Sequence, residues 1–161
     1  MEKYQEAREA AKKYIKTADH MISVTYLLVK DPKLLVAVMD NVFLALTNSV
    51  GAILLHDRLF KKIPPFHNTF ESKYRMFREK SAEIHNIDKT YLTFILDIKD
   101  TILQHKKSPI EFSRKDSFVI CSKDYKLKTL TVPDIKGYIV KTKTFVDRMV
   151  KIVSKYDGIF K

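Results

Sequence analysis

At 161 residues, the chain is the size of one domain and long enough to bury a substantial core. Its 45% hydrophobic and 30% charged residues, with only three glycines and five prolines, exclude a disordered, collagen-like or turn-rich all-β protein. The single cysteine, Cys121, excludes an intrachain disulfide framework and a multi-cysteine zinc site. The formal charge of +11 fits an anionic partner such as RNA, DNA, anionic lipid or an acidic protein, and +7 of it falls from Asp88 onward.

The first helix is expected from about Glu2 to Val29, where Tyr4, Ala7, Ala11, Tyr14, Ala18, Met21, Thr25 and Leu28 recur at three- and four-residue steps. Its opening residues are charged and lack an apolar run, so no cleaved secretory signal is expected, and the cytoplasm is the expected compartment. Asp31-Pro32 starts a second helix after a tight turn, since aspartate accepts from free amides and proline tolerates a first helical position. That helix, about Pro32 to Phe60, is apolar nearly all round, the pattern of a rod enclosed by neighbours or by a partner chain. Asp40, Asn41 and Asn48 interrupt its apolar stretch, which favours a buried central helix over a membrane span. Asn41 and Asn48, seven apart, share a face and predict a polar stripe at a cleft, an interface or solvent.

Lys61-Lys62-Ile63-Pro64-Pro65 ends the second helix, and a more polar third helix is expected from about Thr69 to His85. Asp88 is placed to cap a fourth helix, with Tyr91, Phe94, Ile95, Ile98, Ile102 and Leu103 as its apolar stripe. After Ser108-Pro109, the segments Phe118–Cys121 and Lys126–Thr131 flank Ser122–Tyr125 and read as a short hairpin or a pair of extended segments. Thr131-Val-Pro-Asp134 resembles a capping box opening the last helix, whose apolar positions run from Ile135 to Val153; the tail from Asp157 to Lys161 is expected to fray. The expected fold is a mostly α bundle of about five helices in one domain, with a small extended insertion before the last.

The fourth helix carries Lys99, with Asp100 beside it, and ends at His105 and Lys106-Lys107. A cation can hold phosphate, and an imidazole can exchange a proton near neutral pH. On an ideal helix Lys99 and His105 are about 600° apart, which leaves them roughly 120° from a common face. They cooperate only if the helix frays or a second protomer completes the site; otherwise Lys99 is a solvated charge and His105 complements the helix C-terminus. Arg78 and His85, seven apart, fall nearly on one helical face within a highly charged stretch. His56-Asp57 resembles the pair used by metal-dependent phosphohydrolases, with His20 and Asp97 or Asp100 as further ligands on paper only. No metal or cofactor is expected. Cys121 reads as a packed residue.

A long amphipathic helix, a tight turn, a long apolar helix and a helix ending in a cation, a polar residue and a histidine together resemble the HEPN superfamily. The signature of that family is an arginine, four to six residues, then a histidine; Lys99-Asp100-Thr-Ile-Leu-Gln-His105 occupies the corresponding place, with lysine for arginine. The resemblance implies a homodimer through the second and fourth helices and metal-independent endoribonuclease activity. In it His105 assists attack of the ribose 2′-hydroxyl, Lys99 holds the phosphate and Asp100 orients one of them; for an RNA-directed domain, the basic residues Lys106, Lys107, Arg114 and Lys115 are expected to guide RNA. Lysine keeps the charge but lacks the two-pronged donor geometry of arginine. The other reading is therefore a non-catalytic module that binds nucleotide phosphate or a protein partner. No membrane association is expected.

Overall fold

The computed structural model describes residues 1–108, 110–121, 124, 126–155 and 157, with the backbone alone of residues 110 and 112. Five helical rods among them are α1 (Lys3–His20), running through a π-helical turn (Met21–Thr25) into α2 (Tyr26–Val29); α3 (Lys33–Leu59); α4 (Phe70–Met76), joined by a second π-helical turn (Phe77–Ser81) to α5 (Ala82–Ile84); α6 (Thr90–Lys107); and α7 (Val132–Val153). Between α6 and α7 lies a three-stranded antiparallel sheet, β1 (Ile110–Arg114), β2 (Ser117–Cys121) and β3 (Leu127–Thr131), in that spatial order. The mostly helical class and the extended insertion agree with the sequence reading.

Local signals explain most boundaries. Lys30 adopts φ 53 after α2, and the Asp31 carboxylate accepts from the Lys33 amide at 3.0 Å, so three residues suffice to start α3. Thr69 caps α4 by accepting from Ser72 N at 3.2 Å. Thr131 caps α7 by accepting from Asp134 N at 3.2 Å, with Pro133 in the first turn where no amide is missed. α6 begins at Thr90 rather than directly after Asp88, yet the Asp88 carboxylate still accepts from Thr90 N at 2.8 Å. Backbone and side-chain hydrogen bonds from Thr90 hold that carboxyl below its ordinary value.

The sheet has one strand more than expected. β1 pairs Ile110 with Cys121 and Arg114 with Ser117, closing through Lys115-Asp116, where Asp116 takes φ 56, a conformation aspartate tolerates. The expected turn Ser122–Tyr125 lies outside the described residues except for Asp124, as does the tail beyond Asp157. The central strand β2 is buried throughout, with Phe118, Val119 and Ile120 in a continuous apolar run.

α3 is the central rod. Leu35, Met39, Leu46, Ile53 and Leu54 are buried, and α3 packs chiefly against α1, α7 and α6, so its all-round apolar surface is enclosed largely within one chain. It is long and apolar enough to cross a membrane by length and composition, but most of that stretch is covered here by protein. Burying each such side chain contributes about 1.5–3 kcal/mol. Phe77, Tyr91 and Phe145 close the other side of the core, with Phe145 5.0 Å from Tyr91 and 6.1 Å from Phe77 between ring centroids.

Candidate functional site

α6 delivers Lys99 and His105 to different surroundings. Lys99 Nζ lies 3.3 Å from Glu71 Oε1 of α4 and 4.0 Å over the ring of Phe70. Glu71 is held below the usual carboxylate value first by a backbone hydrogen bond of its own and then by Lys99. His105, at the other end, packs edge-on against Phe118 of β2 at 6.0 Å, with Nδ1 2.8 Å from Glu111 Oε1 of β1. Within one chain the cation turns to α4 and the imidazole to the sheet, as the angular separation on the helix predicts. Asp100 is exposed on α6.

Lys99 belongs to a groove between α3, α4 and α6 of about 390 Å³, where Phe43, Asn48, Phe70, Lys73, Lys99 and Lys106 meet. Asn48 thus does stand at a cleft, its amide also donating to Leu44 O at 2.8 Å. Asn41, its partner in the predicted stripe, instead donates to Ala37 O and to Met21 Sδ, at 3.0 and 3.5 Å, the latter across to the π-helical turn that follows α1. Lys107, Arg114 and Lys115 are exposed at the end of α6 and at the β1–β2 turn, outside this groove.

The sequence pair Arg78 and His85 is split by the π-helical turn Phe77–Ser81. Its wider winding breaks the seven-residue coincidence of faces, even though the pair shares the arginine-then-histidine order with six residues between. Arg78 is exposed beside Glu79 and the Tyr74 ring. His85 turns inward instead, its Nε2 2.8 and 2.9 Å from the two oxygens of Asp57.

Asp57 itself is fully buried at the end of α3. Ser81 Oγ, also buried, donates to its Oδ2 at 2.7 Å, and His56 Nδ1 stands 3.9 Å from its Oδ1. Burial alone pushes the Asp57 carboxyl up, but its interactions with His56, His85 and Ser81 outweigh this and hold it well below the ordinary range. Because an ionised carboxylate only accepts, His85 Nε2 carries the proton of this bond and Nδ1 is the remaining nitrogen of the ring. His56 sits between the rings of Tyr4 and Phe60, at 4.9 and 4.7 Å. The histidine–aspartate pair is thus joined by a serine and a second histidine; His20, Asp97 and Asp100 are exposed elsewhere, and no group of three potential metal ligands occurs among the described residues.

Sequence reasoning named Asp57 and His85 separately but did not join them. The signal was there in Ser81 and His85, four apart and so on one side of a helix, opposite a buried aspartate that required donors.

The fold and these two polar regions define a helical domain with a small sheet and a basic surface. No protein-family model, curated protein or solved structure matches this chain.

Proposed function

We propose that the chain is a HEPN-like, RNA-directed domain that binds single-stranded RNA in the groove between α3, α4 and α6. The observation that carries this reading is the convergence of Lys73, Lys99 and Lys106 with Phe43, Phe70 and Asn48 in one groove. Lysines track a phosphate backbone and an amide adds an adaptable donor and acceptor, while Phe43 and Phe70, packed against the core, form the apolar wall of the groove. The charge of +11 strengthens long-range attraction to such a ligand.

Binding without turnover is the form that the geometry of one protomer favours, because Lys99 and His105 face different elements. Metal-independent cleavage is the second reading, and it requires a second protomer to bring the two groups onto one phosphate. Exposed Leu44 on α3 and Leu96 on α6, which do not line the groove, are apolar positions available for that pairing.

The test is a mixed RNA substrate in EDTA with wild-type protein and with His105→Ala, alongside anisotropy measurements of binding. Saturable, salt-sensitive binding with no product supports the binding module. Cyclic-phosphate products from wild type alone support the ribonuclease. Absence of RNA binding at low salt by a folded preparation sinks both.

A further inference from the structure

At the C-terminal end of α3, two helices finish with the same left-handed device. Lys61 after α3 takes φ 58 and Asn86 after α5 takes φ 53. In each case the next amide reaches back five residues, Lys62 N to Asp57 O and Ile87 N to Ala82 O, both at 2.8 Å. These ends place Lys62 and Asn86 on a groove of about 360 Å³ whose further wall is α7, carrying Arg148 and Lys151. Lys155, His56 and His85 also line it.

The charge there is one-sided. No carboxylate lines the groove among the described residues. Asp57, adjoining the lining residue His56, is buried and already engaged by Ser81 and His85. Lys62, Arg148 and Lys151 have no ion pair among the described residues, unlike Lys99.

Attraction to the negative ends of two helices explains part of this, and Arg148 Nη2 does donate to His85 O at 2.8 Å. Lys62 and Lys151, also near helix C-terminal ends, make no side-chain hydrogen bond among the described residues, so their ammonium donors are left for a ligand. That same bond to the backbone fixes the Arg148 guanidinium, leaving its other donors for a ligand. The Asp57 bond likewise fixes the His85 ring, whose Nδ1 accepts when the ring is neutral and donates when it is protonated.

We propose that this groove binds a phosphate monoester. Several cations gathered in one small groove suit the concentrated charge of a terminal phosphate; a diester backbone carries single charges strung along a track. A volume of about 360 Å³ lies in the range of small-molecule sites. The same group is offered by a free mononucleotide and by the phosphorylated end of an RNA. The proposal does not rest on RNA binding between α3, α4 and α6.

Titration of the full chain with adenosine 5′-monophosphate, with adenosine, and with one short RNA in 5′-phosphorylated and 5′-hydroxyl forms tests it. At least one phosphorylated probe is expected to bind more tightly than its unphosphorylated counterpart. Response to the mononucleotide alone assigns the site to free nucleotides, and response to the phosphorylated RNA alone assigns it to RNA ends. The double variant Lys62→Gln/Lys151→Gln should weaken that preference by roughly tenfold or more, while Lys99→Ala/Lys106→Ala leaves it intact. Lys62 and Lys151 are both exposed, so an unchanged thermal melt of the double variant is expected as the folding control. Equal response to the phosphorylated and unphosphorylated probes, or a preference untouched by Lys62→Gln/Lys151→Gln, overturns the proposal.

Discussion

The Lys99 groove and the Asp57 end of the fold treat charge in opposite ways. Around Lys99 the cation is paired with an exposed carboxylate, Glu71, brought across from α4. Around Asp57 the acid is the buried partner, satisfied by Ser81 and His85, while Lys62, Arg148 and Lys151 stand over it without a carboxylate of their own. A lysine or histidine in a sequence therefore says little until folding shows what stands opposite. An exposed ion pair contributes about 0–1 kcal/mol, whereas a buried acid stripped of its donors, or donors stripped of their acid, costs several times that.

The contrast yields predictions of decreasing size. Asp57→Ala should be the most damaging, losing about 3–5 kcal/mol in urea denaturation because it leaves His85 and Ser81 without their buried acceptor. His105→Ala, at a partly exposed ring, should cost about 1 kcal/mol or less; equal losses at the two positions would erase the distinction. The pH dependence follows from the same acid. The folded value of Asp57 lies below its ordinary 3.8, so its stabilisation is fully present above that value and disappears as pH falls through the folded one. Asp57→Asn should therefore flatten the loss of stability on acidification below about pH 5, a difference read by denaturation at several pH values. On the Lys99 side, Lys99→Ala/Lys106→Ala should leave the melt nearly unchanged but lower the magnitude of the salt-dependence slope for single-stranded RNA by roughly 0.7 for each lysine that touches a phosphate.

Elements governed by local signals were legible before the fold was known. Asp31-Pro32, Thr69, and Thr131 with Asp134 act where they stand, through hydrogen bonds spanning two or three residues. The long apolar rod α3 was equally legible, since its composition demanded enclosure, although the enclosure comes chiefly from α1, α6 and α7 of the same chain. What depended on distant partners was not legible. β1 escaped because its pairing with β2, more than its own composition, makes it a strand. The two π-helical turns leave no simple periodic mark, and one of them turns His85 away from Arg78 and toward Asp57, 28 positions back in the chain. Lys99 was named as a phosphate cation without Glu71, its neighbour in space but also 28 positions away in the chain.

That neighbour supplies the smallest and most discriminating prediction. If Lys99 helps to hold RNA, Glu71 competes with phosphate for the same ammonium group at 3.3 Å and also repels the backbone. Glu71→Gln keeps the side-chain length and removes the negative charge, so affinity for single-stranded RNA should rise by a few-fold at low salt. The gain should fade as salt is raised, because the pair is exposed and screened, and it should shrink in a Lys99→Ala background to the part that comes from direct repulsion of the backbone. Stability should move little, since Glu71 is solvent-exposed and its loss leaves no buried group unpaired. An unchanged affinity would mean that the lysine is held over Phe70 for packing, and would move the RNA track toward Lys73 and Lys106, the other cations of the groove.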